Sequence, residues 1–367
     1  MKILIACDKM KGTFTSKQFG EMVENALKQV LPDVETEVLQ VSDGGDGFVE
    51  SLRWRNNYSR WEFLSYNAAH RKIQSKYLYN IYTKTAVLES ALTLSMDKLA
   101  KNERAILQNN SFGLGFDIRR VVDVRHPQKI VVGIGGTSTN DLFLGAASAL
   151  GFRFIGKDGK DLEPRPQNYL NISHIISTNQ YSDIEFMAAV DVKNPLLGKL
   201  GATKVYAAQK GATPQDIDFL EDALSHIADV IKSDLGVNLE TIDGAGAGGG
   251  IGGGMAAFLN AKIVNGADFI LDSLDFDSKI ESADLVITGE GSFDSQSLMG
   301  KITGKIIERC GKISRKVLII SGISEITHLP RHCSKITLFF DKPTLKDAKQ
   351  KTELLIKEKL SKTIQNI

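Results

Sequence analysis

Apolar residues fall into short continuous runs near both ends of the chain and into alternating, aromatic-rich stretches between them. Ile3-Leu4-Ile5-Ala6 is unbroken, as expected of a strand buried on both faces. Phe19, Met22, Val23, Ala26, Leu27 and Val30 then keep helical spacing, with Thr15 or Ser16 suited to the cap and Pro32 as the stop. Residues 35–41 read as a second strand, and residues 46–52 open another helix. From 58 to 93 the chain is rich in Tyr, Trp, Thr and Val, which predicts antiparallel strands, most clearly at 76–82. Residues 129–192 are mixed α/β, with a strand at 184–190 that delivers Asp191 at its end. Apolar strands return at 284–288, 316–320 and 335–339 with helical segments between them. Two βα units at the start and three strands at the end make one flavodoxin-like five-stranded parallel sheet, residues 1–57 and 270–367. Residues 58–269 then form a second, mixed α/β domain inserted into the first.

Composition narrows the function. A chain of 367 residues is long for a single core. Its 42% hydrophobic and 24% charged residues are those of an ordinary globular enzyme. A formal net charge of +1 argues against a nucleic-acid partner. Three scattered cysteines suit neither a disulfide framework nor a zinc site, so a reduced, cytoplasmic setting is expected. The N-terminal apolar run is too short for a signal peptide, and no run approaches a membrane span.

The chemistry-bearing residues gather in glycine-anchored loops. Residues 133–141, Gly-Ile-Gly-Gly-Thr-Ser-Thr-Asn-Asp, directly follow the apolar run Ile130-Val131-Val132. Glycines there let backbone N–H groups turn toward an anion, and a helix N-terminus adds its dipole. Gly135, Gly136, Thr137, Ser138, Asn140 and Asp141 are the candidates in this loop. Related loops hold Asp43 and Asp46, Gly246, Gly248 and Gly249, and Glu290 and Asp294. Asp8 and Lys11 follow the first strand, so three strand ends carry acids toward one sheet edge, where ligands of open α/β sheets bind. Asp191 can accept a hydroxyl proton or hold Mg²⁺. Lys210 supplies a cation for a carboxylate or phosphate. At any one loop, Asp and Gly also serve as plain turn residues. The P-loop and protein-kinase signatures are absent, and Gly244, Gly246 and Gly249 fit Gly-x-Gly-x-x-Gly only within a run made almost wholly of Gly and Ala.

Taken in order, these motifs resemble the bacterial two-domain glycerate kinases that usually phosphorylate the 2-hydroxyl. The similarity rests on Asp8 with Lys11-Gly12, Asp43-Gly44-Gly45-Asp46-Gly47, Glu89-Ser90-Ala91 and the 135–141 loop. It continues through Asp191-Val192-Lys193-Asn194-Pro195-Leu196, Gln209-Lys210-Gly211-Ala212, residues 244–254, residues 288–296 and Gly300-Lys301. The chain departs from the pattern at Lys9-Met10, at Asp46 (usually Glu) and at Thr137-Ser138 (usually Ser-Ala). It also carries Leu142-Phe143 in place of a glycine pair, and Ser111-Phe112-Gly113-Leu114-Gly115 without the usual Tyr.

The resemblance implies phosphoryl transfer from ATP, with Mg²⁺, to D-glycerate, giving 2-phosphoglycerate and ADP. It implies Asp191 as general base or metal-organising acid and Lys11 as stabiliser of transferring charge or binder of the substrate carboxylate. It further implies Asp43, Asp46 and Glu290 as organisers of Mg²⁺ or substrate hydroxyls, and the 135–140 and 246–254 loops as phosphate cradles. Phosphorylation at the 3-position, a dinucleotide-dependent oxidoreductase and a non-catalytic sensor of a small acid stay open as alternatives. The oligomeric state and the metal ligands are not legible.

Overall fold

The computed structural model describes residues 1–53, 57–178 and 180–364. In chain order its strands are β1 (Lys2–Cys7), β2 (Glu35–Val38), β3 (Tyr58–Tyr66), β4 (Lys72–Asn80), β5 (Thr85–Glu89), β6 (Lys129–Ile134) and β7 (Arg153–Gly156). They continue with β8 (Ile172–Ile176), β9 (Glu185–Val190), β10 (Lys262–Asn265), β11 (Leu285–Phe293), β12 (Lys316–Ser324) and β13 (Cys333–Thr337). Two compact units result: Met1–Asp43 with Glu50–Trp54 and Gly266–Ile367, and Gly44–Val49 with Arg55–Asn265. The short segment Gly44–Val49 thus clusters with the second unit, so Asp46 is separated from Asp43.

The first unit is an α/β layer structure around a sheet of order β13-β12-β11-β1-β2. Every pairing is parallel, and read from β2 inward this is the flavodoxin order expected above. Ile3, Ile5, Leu285, Ile287, Leu318 and Ile320 form a buried sheet face that meets Phe19, Val23 and Leu27 of helix Ser16–Val30 and Ile356 and Leu360 of helix Leu345–Thr363. Thr15 caps the first helix: its hydroxyl accepts from Gln18 N at 3.2 Å, and the Gln18 side chain accepts from Thr15 N at 2.9 Å.

The second unit holds a six-stranded sheet of order β10-β9-β6-β5-β4-β3. Its β10-β9-β6-β5 part is parallel, and β4 and β3 add antiparallel pairs. β7 and β8 form a separate antiparallel pair. Glu89 aligns with Gly133, Ile134 with Val190, and Val190 with Asn265. The carboxyl ends of these strands therefore bring Glu89, Gly135 and Asp191 to one edge.

Candidate active site

In the first unit, register places the candidates. Cys7 pairs with Gly289, and Asp8 N donates to Gly289 O at 2.7 Å, so Asp8 and Glu290 leave neighbouring strands at the same level. A side chain at Gly289 would come within 2.0 Å of Ile320 O, which lets β11 and β12 run this close. Asp8, Asp43 and Glu290 are all buried. Asp8 Oδ1 and Glu290 Oε1 have no hydrogen-bond partner among the described residues. Burial pushes the Asp8 carboxyl up to about 7; the Lys9 ammonium opposes the shift, and the Asp43 and Glu290 charges add to it. Glu290 is likewise raised by burial, moderated by the Thr303 and Ser297 hydroxyls. Lys9 Nζ lies 3.8 Å from Asp43. Lys11 is exposed. Its backbone runs beside Gly291, where an added Cβ would lie 3.8 Å from Lys11 N. Asp294 caps the next turn, accepting from Gln296 N at 2.9 Å and Ser297 N at 3.2 Å.

In the second unit, Gly44–Val49 packs on the 133–137 loop. Cβ atoms at Gly133, Gly135 and Gly136 would fall 2.5 Å from Phe48 Cγ, 2.5 Å from Gly45 Cα and 2.2 Å from Asp46 Oδ1. Glu89 ties this segment down by accepting from Gly47 N and Val49 N, each at 3.0 Å. Its burial raises the carboxyl to about 6, and those amides hold it lower than burial alone would.

Beside this loop, Gly248, Gly249 and Gly250 take φ of 65°, 76° and 93°, a left-handed kink inside helix Ala247–Leu259. Lys210 is buried there and donates to Thr139 O at 2.6 Å and to Thr137 Oγ1 at 3.3 Å. Thr137 Oγ1 in turn donates to Gly248 O at 2.8 Å. Burial pulls the ammonium down to about 8, with the Asp141 charge opposing. Backbone turned by consecutive left-handed residues beside a buried cation suits an anion.

The remaining candidates divide between scaffold and edge. Ser138 donates to Leu94 O at 2.6 Å and Asn140 to Thr203 Oγ1 at 2.9 Å. The Asp141 carboxylate accepts from Ser111 N and Oγ, both at 2.7 Å, and from Gly145 N at 3.2 Å. These three side chains point into the scaffold of the loop. Leu142 (φ 49°) and Phe143 (φ 65°) follow in left-handed backbone, fully buried. Asp191 is part-exposed, and its charge adds to the burial that raises the Tyr206 hydroxyl. Tyr206 donates to Asn194 Oδ1 at 2.9 Å. Gly246 N donates to Asn194 O at 3.0 Å, and a Cβ at Gly246 would lie 2.2 Å from Pro195 O. The loop after Asp191 is thus pinned to the glycine run. Reasoning by residue type alone missed the structural role of Glu89, although it sits at the end of an apolar strand like the other acids.

Against known proteins, the profile of the glycerate kinase family matches residues 3–367. The chain belongs to the glycerate kinase family. Membership makes it an enzyme, a transferase of the kinase class acting on glycerate, with ATP as the second substrate that class implies. A glycerate kinase from Bacillus subtilis is 34% identical over 88% of this chain and 85% of its own. One from Halalkalibacterium halodurans is 31% identical over 87% and 85%. A glycerate 2-kinase from Escherichia coli is 31% identical over 88% and 85%. A crystal structure assigned as glycerate kinase 2 from Salmonella typhimurium LT2 superposes with a TM-score of 0.83 at 29% identity, covering 100% of this chain and 98% of that one. Among the described residues, no helix is long and apolar enough to cross a membrane, and no group of three or more His, Cys, Asp or Glu side chains could hold a metal ion.

Proposed function

We propose that this glycerate kinase transfers the γ-phosphoryl group of ATP to the 2-hydroxyl of D-glycerate, giving 2-phospho-D-glycerate and ADP, with Mg²⁺, in the cytoplasm. The observation that carries the nucleotide side is the left-handed Gly248–Gly250 backbone beside buried Lys210, a cradle with no room for a Cβ at Gly249. Support for the 2-position is the similarity to the Escherichia coli glycerate 2-kinase. Residues 244–254 open a helix without following a strand, unlike a dinucleotide fingerprint, which speaks against the oxidoreductase alternative.

The acids of the first unit fit Mg²⁺. Asp8 Oδ1 and Glu290 Oε1 are buried without hydrogen-bond partners among the described residues, and both carboxyls are raised chiefly by that burial. Mg²⁺ commonly takes one or two carboxylates and completes its shell with water and substrate phosphates, so a three-acid cage is not required. Asp8 and Glu290 would hold the ion, which would supply charge neutralisation on the phosphates.

Asp191 is assigned as the general base. The glycerate O2 forms the new P–O bond, the bond from the γ-phosphorus to the β–γ bridging oxygen breaks, and ADP leaves. The hydroxyl proton passes to the Asp191 carboxylate. Lys210, Thr137 and the 246–250 backbone orient phosphate oxygens, and Lys11 binds the substrate carboxylate or offsets charge on the moving group.

Coupled ADP release with D-glycerate tests the reaction, and phosphorus NMR of the product distinguishes 2- from 3-phosphoglycerate. Asp191→Asn should melt like the parent and lose most turnover. Unchanged turnover removes Asp191 from the mechanism, and a 3-phosphorylated product overturns the position.

A further inference from the structure

Among the described residues β3 ends its sheet, with β4 on one side and no strand on the other. It pairs with β4 over nine consecutive residues without a register shift and contains no proline. Natural edge strands are usually blunted by shortness, bulges, proline or charged side chains. Tyr58–Tyr66 has none of the first three, and its only charges, Arg60 and Glu62, are of opposite sign. Residues 59–62 are exposed, Trp61 at 44% and Leu64 at 58%.

We propose that β3 is a self-pairing edge, through which two copies of this chain join antiparallel into one continuous sheet. The sequence of the strand selects the register. Side chains alternate between faces, so a two-fold axis normal to the sheet must pass between same-numbered residues of the two copies. Centring on residue 60 sets Arg60 against Arg60, and centring on 62 sets Glu62 against Glu62. Centring on Trp61 sets Arg60 opposite Glu62 of the second copy, and Glu62 opposite its Arg60. Within one chain these two side chains already form an ion pair on a shared face. In the dimer they would build a four-charge cluster of alternating sign. On the opposite face Trp61 meets its counterpart, each indole backed by its own Arg125 guanidinium 3.7 Å from the ring centroid. Tyr58 falls opposite Leu64 of the second copy, which covers a leucine now left in water. Opposite charges directly across an antiparallel pair are favourable and like charges unfavourable, so the cluster both attracts and fixes register.

Sedimentation equilibrium of the full chain tests this. The unaltered protein should show a concentration-dependent monomer–dimer equilibrium. Arg60→Glu sets two Glu–Glu pairs across the axis and should weaken the dimer roughly tenfold. Arg60→Glu combined with Glu62→Arg restores alternating sign and should recover the dimer. Circular dichroism confirms that each variant is folded. If Arg60→Glu does not fold, hydrogen exchange on the unaltered protein decides: β3 amide protection should rise with protein concentration. A monomer up to roughly 0.1 mM overturns the proposal. So does a dimer indifferent to Arg60→Glu, a double variant no tighter than the single one, or β3 protection independent of concentration.

Discussion

Gly249 offers a sharp perturbation because its surroundings are fixed on three sides. Its φ is +76°, and a Cβ would fall 2.1 Å from Thr139 O, 2.9 Å from Lys210 Nζ and 3.0 Å from Asn140 Cα. Two of those atoms are backbone, so Gly249→Ala cannot be relieved by a rotamer change. Holding alanine in left-handed backbone costs about 1–2 kcal/mol. Forcing a methyl group into packed surroundings adds about 1–3 kcal/mol. The sum, about 2–5 kcal/mol, is a large part of an ordinary domain's stability but leaves it folded. Melting should fall by roughly 5–15 °C. The displaced Thr139 carbonyl would carry the Lys210 ammonium with it, and a shift of about 1 Å in a positioning group costs on the order of a hundredfold in turnover. Gly236→Ala is the control. Its φ is +73° with nothing within 4 Å of the added Cβ, so it carries the backbone cost alone. Thermal melts and coupled ADP release on both variants separate the effects. If Gly249→Ala melts and turns over like Gly236→Ala, the account of a crowded cradle is wrong.

Other perturbations follow from the same contacts. Glu89→Gln keeps one acceptor where two amides need one each, so a loss of about 1–3 kcal/mol and faster hydrogen exchange at Gly47 and Val49 are expected; unaltered exchange there would contradict the anchoring role. Asp117 is buried and accepts from Ser65 and from Ser75 at 2.7 Å, and burial raises its carboxyl to about 7 while those hydroxyls oppose the rise. Stability from its protonated form is fully present below the unfolded value, near pH 4, and is lost as pH rises through about 7. Asp117→Asn stays neutral throughout, so melting temperature against pH should flatten between those limits, and a slope equal to the parent's would refute the assignment.

How far the sequence carries the structure depends on what kind of signal each element has. β1 is visible because all of its apolar letters are buried between layers. β11 reaches Phe293, well past the apolar run that ends at Thr288, because Gly289 packs on Ile320 O and Ser292 and Phe293 continue the pairing with β12. Thr-Gly-Glu-Gly-Ser does not read as a strand until its neighbour is known. β4 spans Lys72–Asn80 rather than 76–82, since Ile81 and Tyr82 project from the following turn at 68% and 77% exposure. The glycine-and-acid loops are legible because strand ends concentrate both residue types. The direction of each side chain is not. Ser138, Asn140 and Asp141 are ligand-like by type, yet their partners Leu94, Thr203 and Ser111 are distant in sequence. Glu89 acquires its role from amides some forty residues earlier in the chain.

Leu142 and Phe143 make the loop dependent on the glycine run behind it. Bulky residues in left-handed backbone are strained by about 1–3 kcal/mol each. They fit here because helix Ala247–Leu259 presents bare backbone to them: a Cβ at Gly250 would lie 2.9 Å from Leu142 Cα, and one at Gly254 would lie 2.3 Å from Phe143 Cβ. The helix glycines do not depend in turn on those side chains: a Cβ at Gly254 would also lie 2.3 Å from Leu142 O, and Gly250 takes a φ of 93°. The dependence therefore runs one way, since Leu142 and Phe143 need the bare helix, whereas the backbone at 142 already holds positions 250 and 254 to glycine whatever side chains the loop carries.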